Sequence, residues 1–167
     1  MTVGTRTTAK NTFKLAAISA LLAGLTSSVH HWFGAYIYDT PWRLVVSLWI
    51  PAFTATVLLM LYLHWKVENK RISSFAVWFI FFGGVVFQAG FTIFECVYSH
   101  IIKIILFFGN APKSLLNWLF PAPTYHLPDN LFFEATGVTQ IVGLWAAWMA
   151  YRVFRNRKFT MKKTLSL

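Results

Sequence analysis

The sequence predicts an all-α, polytopic membrane protein, a bundle of four transmembrane helices, and three observations carry that prediction. Four apolar stretches are each long enough to cross a bilayer. The strict two-residue alternation of a membrane β-barrel is absent, and the basic residues gather on alternate connections. With 57% of its 167 residues hydrophobic and only 12% charged, the chain carries more apolar surface than a soluble domain of this size needs.

A hydrocarbon layer about 30 Å thick takes roughly 20 residues of helix at about 1.5 Å rise. The first stretch, about residues 13–38, follows Arg6, Lys10 and Lys14. Its lysines and the apolar run from Leu15 to Leu25 resemble a signal peptide, but apolar character continues through Trp32, Phe33 and Ile37, so an uncleaved span is expected. Next comes Tyr38-Asp39-Thr40-Pro41, a turn in which Asp39 suits a helix cap. The second stretch, about residues 44–65, holds Pro51, which removes a backbone hydrogen bond and predicts a kink.

The third stretch, about residues 75–99, runs on without a break to Gly109, or about 50 Å if wholly helical. It must therefore project or bend, with Lys103 grazing the interface. Pro112, Pro121, Pro123 and Pro128 stiffen the outer loop that follows, in which Lys113 to Phe120 predicts a short interfacial helix. Asp129 and Asn130 are placed to cap the fourth stretch, about residues 131–154. With no linker or internal repeat, residues 1–167 read as one membrane domain. Trp32, Trp42, Trp65, Trp118, Tyr36, Tyr38 and Tyr62 fall near span ends, as an aromatic belt requires.

Three segments, before the first span, between the second and third, and after the fourth, hold 12 of the 15 basic residues; only Arg43, Lys103 and Lys113 lie elsewhere. Both termini are thus expected in the cytoplasm, and in a bacterium the membrane is the cytoplasmic one. The formal charge of +10 is divided among short pieces, which excludes the basic face of a nucleic-acid binder. The terminal run from Arg152 to Lys163 suits anionic lipid headgroups. Small residues, among them Gly24, Gly83, Gly84, Gly90, Gly143 and Ala150, let helices approach closely, within one bundle, a homo-oligomer or a larger membrane complex.

Ionisable residues at membrane depth are costly and need partners, so they locate the candidate site. His30, His31, Glu95, His100 and Glu134 all fall on the outer side, opposite the basic segments. Depth counted along the helices puts His30, His31, Glu95 and Glu134 in one layer, where side chains of different helices converge. Imidazole and carboxylate suit Zn, Fe, Mn or Cu, or a small ligand. They equally suit interhelical hydrogen bonds or a salt bridge. Two features weaken the metal reading: Glu95 and His100 are about 140° apart on an α-helix, and neither Glu-x-x-His nor His-Glu-x-x-His occurs.

Gln88 and Gln140, with Thr136, extend the polarity inward and favour a cavity. In an enzyme, Glu95 or Glu134 would act as general acid or base with His30 or His31 as partner. His64 and His126 read as solvated or interfacial. Cys96, the lone cysteine, excludes a disulfide and a Cys-rich metal site and reads as an inert thiol. The sequence thus points to a metal- or ligand-binding membrane protein, with a non-catalytic accessory subunit as the alternative.

Overall fold

The computed structural model describes residues 3–156, with side chains from residue 8 onward, and every regular element among them is helical. The last basic residues, Arg157, Lys158, Lys162 and Lys163, lie outside the described residues. Helix α1 spans Val3–Ile37, α2 Pro41–Lys66 and α3 Lys70–Phe108. These three are long and apolar enough to cross a membrane. Helix α4 spans Lys113–Leu119, α5 Leu131–Thr139 and α6 Val142–Arg155.

The helix ends follow local chemistry. Asp39 adopts a positive φ of 47° in the turn after α1, a backbone conformation that Asp tolerates better than most residues. It does not cap α2; Thr40 holds that position, without a side-chain cap bond, and Pro41 fills the first turn, where a missing N–H is harmless. Helix α2 continues through Pro51. Asn69 caps α3 by accepting from Arg71 N and Ile72 N, and Asn130 caps α5 by accepting from Phe133 N at 2.9 Å. Asp129 instead accepts from the Tyr38 hydroxyl at 2.5 Å, tying the loop before α5 to the end of α1.

Two findings depart from the expected spans. Helix α3 is a single element of 39 residues that runs nine residues beyond the predicted Ser99, and two of its segments, Ile80–Phe87 and Ile93–Ile102, are π-helical. The stretch expected as a fourth continuous helix is broken: Gln140 N and Ile141 N bond three residues back, to Gly137 O and Val138 O. The hydroxyls of Thr136 and Thr139 also bond to carbonyls three residues earlier, which competes with the regular ladder and bends a helix.

Helix α1 packs on α2, α5 and α6; the first π-segment of α3 packs on α6 and the second on α5. The apolar core, Ala16, Val57, Leu61, Ile80, Met149, Ala150 and Val153, occupies the end that carries Lys66 and Arg155. Gly84 gives close approach there, meeting Ala150, whereas Gly90 faces open space. His64, expected to be solvated or interfacial, is buried at this end, 2.9 Å from Ser73 Oγ and stacked on Phe13. The opposite end of the molecule is filled with polar side chains.

Candidate metal centre

Helix α1 brings His30 and His31 to the polar end, both 2% exposed. Helix α3 brings Glu95, Ser99, His100 and Lys103, and α5 brings Glu134 and Thr136. The π-helical turn decides whether α3 can present Glu95 and His100 together. In an α-helix residues five apart diverge, but an i→i+5 ladder winds more slowly and brings them onto one face. One ligand atom from each of His30, Glu95 and His100 lies within 4.8 Å of the others, so the three could hold a metal ion.

The hydrogen bonds around the two imidazoles are directional. Glu134 Oε2 accepts from His100 Nδ1 at 2.7 Å, and its other oxygen accepts from Lys103 Nζ at 2.7 Å. Lys103 Nζ also donates to the carbonyl of His126. Thr136 donates its hydroxyl proton to Phe133 O, so its oxygen accepts from His30 Nδ1 at 3.1 Å. His100 Nδ1, facing a carboxylate, is a donor, which leaves a lone pair on its Nε2; where His30 Nδ1 donates to the Thr136 oxygen, its Nε2 carries a lone pair too. Those two Nε2 atoms face each other at 3.1 Å. The rings are held from below and the side: Phe133 stacks 4.3 Å from His30, and a Cβ on Gly137 would overlap the His100 ring.

Beside this pair lies a cavity of about 160 Å³ lined by His30, His31, Arg43, Glu95, His100 and Lys103, with aromatic walls that include Trp42 and Tyr125. Neither ring nitrogen of His31 has a hydrogen-bond partner among the described residues. The Glu95 carboxylate, half-buried, belongs to neither of the ion pairs found among the described residues. Burial and the Asp129 carboxylate hold the Tyr38 phenol above its ordinary range, and burial lifts that of Tyr125. Burial also pushes the His126 imidazole down, and its ring stacks 3.8 Å from that of Tyr38.

No family model, curated protein or solved structure matches this chain. The case for a function therefore rests on the side chains themselves.

Of the residues singled out from the sequence, His30, Glu95, His100 and Glu134 meet in one cluster, and His31 lines the adjoining cavity. Both oxygens of Glu134 are occupied, so it stands behind His100 and not beside Glu95. Gln140 lies deeper, accepting from Ser27 Oγ at 2.8 Å, and Gln88 contacts Thr92 at 3.3 Å; neither joins the cluster. Cys96 is fully buried and faces Val138 O. His126, read as solvated or interfacial, is half-buried and lines the cavity.

Lys103, expected to graze the interface, is 2% exposed and paired with Glu134. Arg43, read only as a stray basic residue, lines the same cavity at 5% exposure. Both had a sequence signal: a cation embedded in an apolar run is costly and implies a buried partner.

Proposed function

We propose that the chain is a multi-pass integral membrane protein of four spans, α1, α2, α3 and the bent pair α5–α6, that holds a first-row transition-metal ion at its outer end. His30 Nε2, His100 Nε2 and a Glu95 oxygen are the ligands. Two imidazoles and a carboxylate are the donor set of Zn hydrolases and of non-haem Fe(II) sites, and both leave at least one position for water or ligand. The adjoining cavity is where that position is filled.

The meeting of the two Nε2 atoms carries this reading. Metal–nitrogen bonds of about 2.0–2.1 Å at tetrahedral angles put two ligand nitrogens about 3.3 Å apart, close to the 3.1 Å observed. Each far nitrogen has a partner to which it can donate, the Glu134 carboxylate for His100 and the Thr136 hydroxyl for His30. That backing sets the tautomer and ring orientation a metal-binding histidine needs. Without an ion, the lone pairs clash unless Thr136 turns its proton away from Phe133 O to His30 Nδ1, allowing His30 to donate to His100.

Elemental analysis of protein purified in mild detergent tests the proposal. About one equivalent of Zn, Fe, Mn or Cu per chain is expected in the wild type, falling at least tenfold in His30→Ala and His100→Gln at unchanged helicity. Wild-type protein free of metal after incubation with each ion, or full occupancy in both variants, overturns it.

A further inference from the structure

The cavity beside the cluster holds a cation, Arg43, that forms no ion pair among the described residues. Arg43 sits in the first turn of α2, buried, with its guanidinium donating to Thr40 Oγ1 and to Thr124 O at 3.1 Å each. Its Cζ lies 5.4 Å from the Tyr38 ring centroid, 5.0 Å from Trp42 and 5.4 Å from Phe133. Among the described residues no carboxylate reaches it at ion-pair distance, whereas Lys103 is bound to Glu134 at 2.7 Å. Gly34 keeps the space open, since a Cβ there would press on the Arg43 side chain and overlap Phe133. A buried guanidinium fixed at two of its five donors presents the rest of its fork in a set direction, and that fork matches carboxylate and phosphate oxygens.

Counting charge leads to the same ligand. The groups around the cavity are Arg43 and Lys103, both cationic, and Glu95 and Glu134, both carboxylates, which cancel. A divalent ion on His30, Glu95 and His100 makes the site strongly positive in a low-dielectric setting, where uncompensated charge is costly. We infer that the cavity takes an oxyanion, the carboxylate or phosphate group of a ligand, with one oxygen on the metal and another on the Arg43 guanidinium. This rests on the metal reading. At about 160 Å³ the cavity admits such a head and little more, well under the several hundred Å³ of a pocket that encloses a whole drug-sized ligand. The rest of the ligand therefore lies outside, and the exposed Trp42 and Phe94 on the cavity wall offer it an apolar surface. A free anion and a lipid headgroup share this chemistry.

Cobalt-loaded protein provides the test, because the visible spectrum of Co(II) reports any new ligand. In nanodiscs of phosphatidylcholine, inorganic phosphate is expected to shift the spectrum saturably. Discs doped with phosphatidic acid shifting it without added phosphate identify a lipid headgroup as the source; a shift with free phosphate only identifies a soluble anion. Arg43→Gln should keep full cobalt occupancy yet need at least about tenfold more phosphate, as expected when a charged hydrogen-bond partner is lost, and Arg43→Lys should fall between. Wild-type protein that binds no cobalt sinks the metal centre and this inference with it. Cobalt-loaded wild-type protein that responds to neither phosphate source overturns the oxyanion alone, as does an Arg43→Gln titration identical to wild type.

Discussion

Lys103 and Glu134 form an ion pair of 2.7 Å with both side chains all but excluded from solvent. The pair locks the far end of α3 to the start of α5, and because Glu134 also holds His100 Nδ1, it orients the proposed ligand. Stability and the proposed metal binding therefore share one carboxylate.

Removing one partner from such a pair strands a buried charge, which costs about 3–5 kcal/mol. Glu134→Gln and Lys103→Met should each lower thermal stability in detergent sharply. The double variant should be less damaged than the two losses summed, with a coupling of about 1–3 kcal/mol. Strict additivity in a double-mutant cycle would mean that the pair does not hold these helices together. Metal affinity should follow a different order. It should fall about 10–100-fold in Glu134→Gln, where His100 loses its carboxylate, and less in Lys103→Met.

Gly137 separates a packing requirement from a mere helix preference. A Cβ there would lie within the His100 ring, whereas one on Gly90 meets nothing. Overpacking of a fixed core costs about 1–3 kcal/mol, and Gly→Ala in a helix with free space gains about 0.5–1 kcal/mol. Gly137→Ala is thus expected to lower both the melting temperature and metal occupancy. Gly90→Ala should leave occupancy intact and the melting temperature equal or higher. Equal behaviour of the two variants would show that the His100 ring is not wedged against α5.

His126 supplies a pH dependence outside the spans. Burial lowers its affinity for a proton below the ordinary value of 6.5; Arg43 and Lys103 lower it further and Asp129 opposes them, while the Tyr38 ring it stacks on is a neutral phenol. A histidine held neutral by folding supports the fold above its unfolded value, and that support is lost as pH falls from there through the lower folded value. Wild-type stability should therefore drop below about pH 6.5 by more than that of His126→Gln. Parallel melting curves for the two proteins from pH 7.5 to 5 would remove His126 from the account.

Much of this architecture is legible in the amino acids, because length, apolarity and cap chemistry are local properties. Asn130 caps α5 as its type and position predict, and Lys113–Leu119 forms the short loop helix. The meeting of His30, Glu95 and Glu134 follows from counting depth along helices. His100 is different. Its 140° offset from Glu95 holds for an α-helix, and only the π-helical ladder of Ile93–Ile102 narrows it enough for the two to share a face. A change of hydrogen-bond register is a tertiary outcome with no local signature here. The same holds for the break at Gln140, where threonine hydroxyls compete with the backbone ladder, and for Arg43, whose guanidinium is held by Thr124 in the loop before α5.

The transmembrane arrangement itself is open to a direct measurement that uses the lone cysteine. Cys96 is fully buried, so Cys96→Ala gives a silent background for introduced thiols. Glu68, in the short connection between α2 and α3, and Ser114, in α4, are both exposed. In the four-span arrangement they lie on opposite sides of the membrane, because α3 alone separates them. The distribution of basic residues predicts that Glu68 faces the cytoplasm. A membrane-impermeant maleimide added to intact cells should therefore label Ser114→Cys, and should reach Glu68→Cys only after permeabilisation. Labelling of both from outside would mean that α3 does not cross. The reverse pattern would invert the topology and place the histidine cluster on the cytoplasmic side, with the metal then drawn from the cytoplasmic pool.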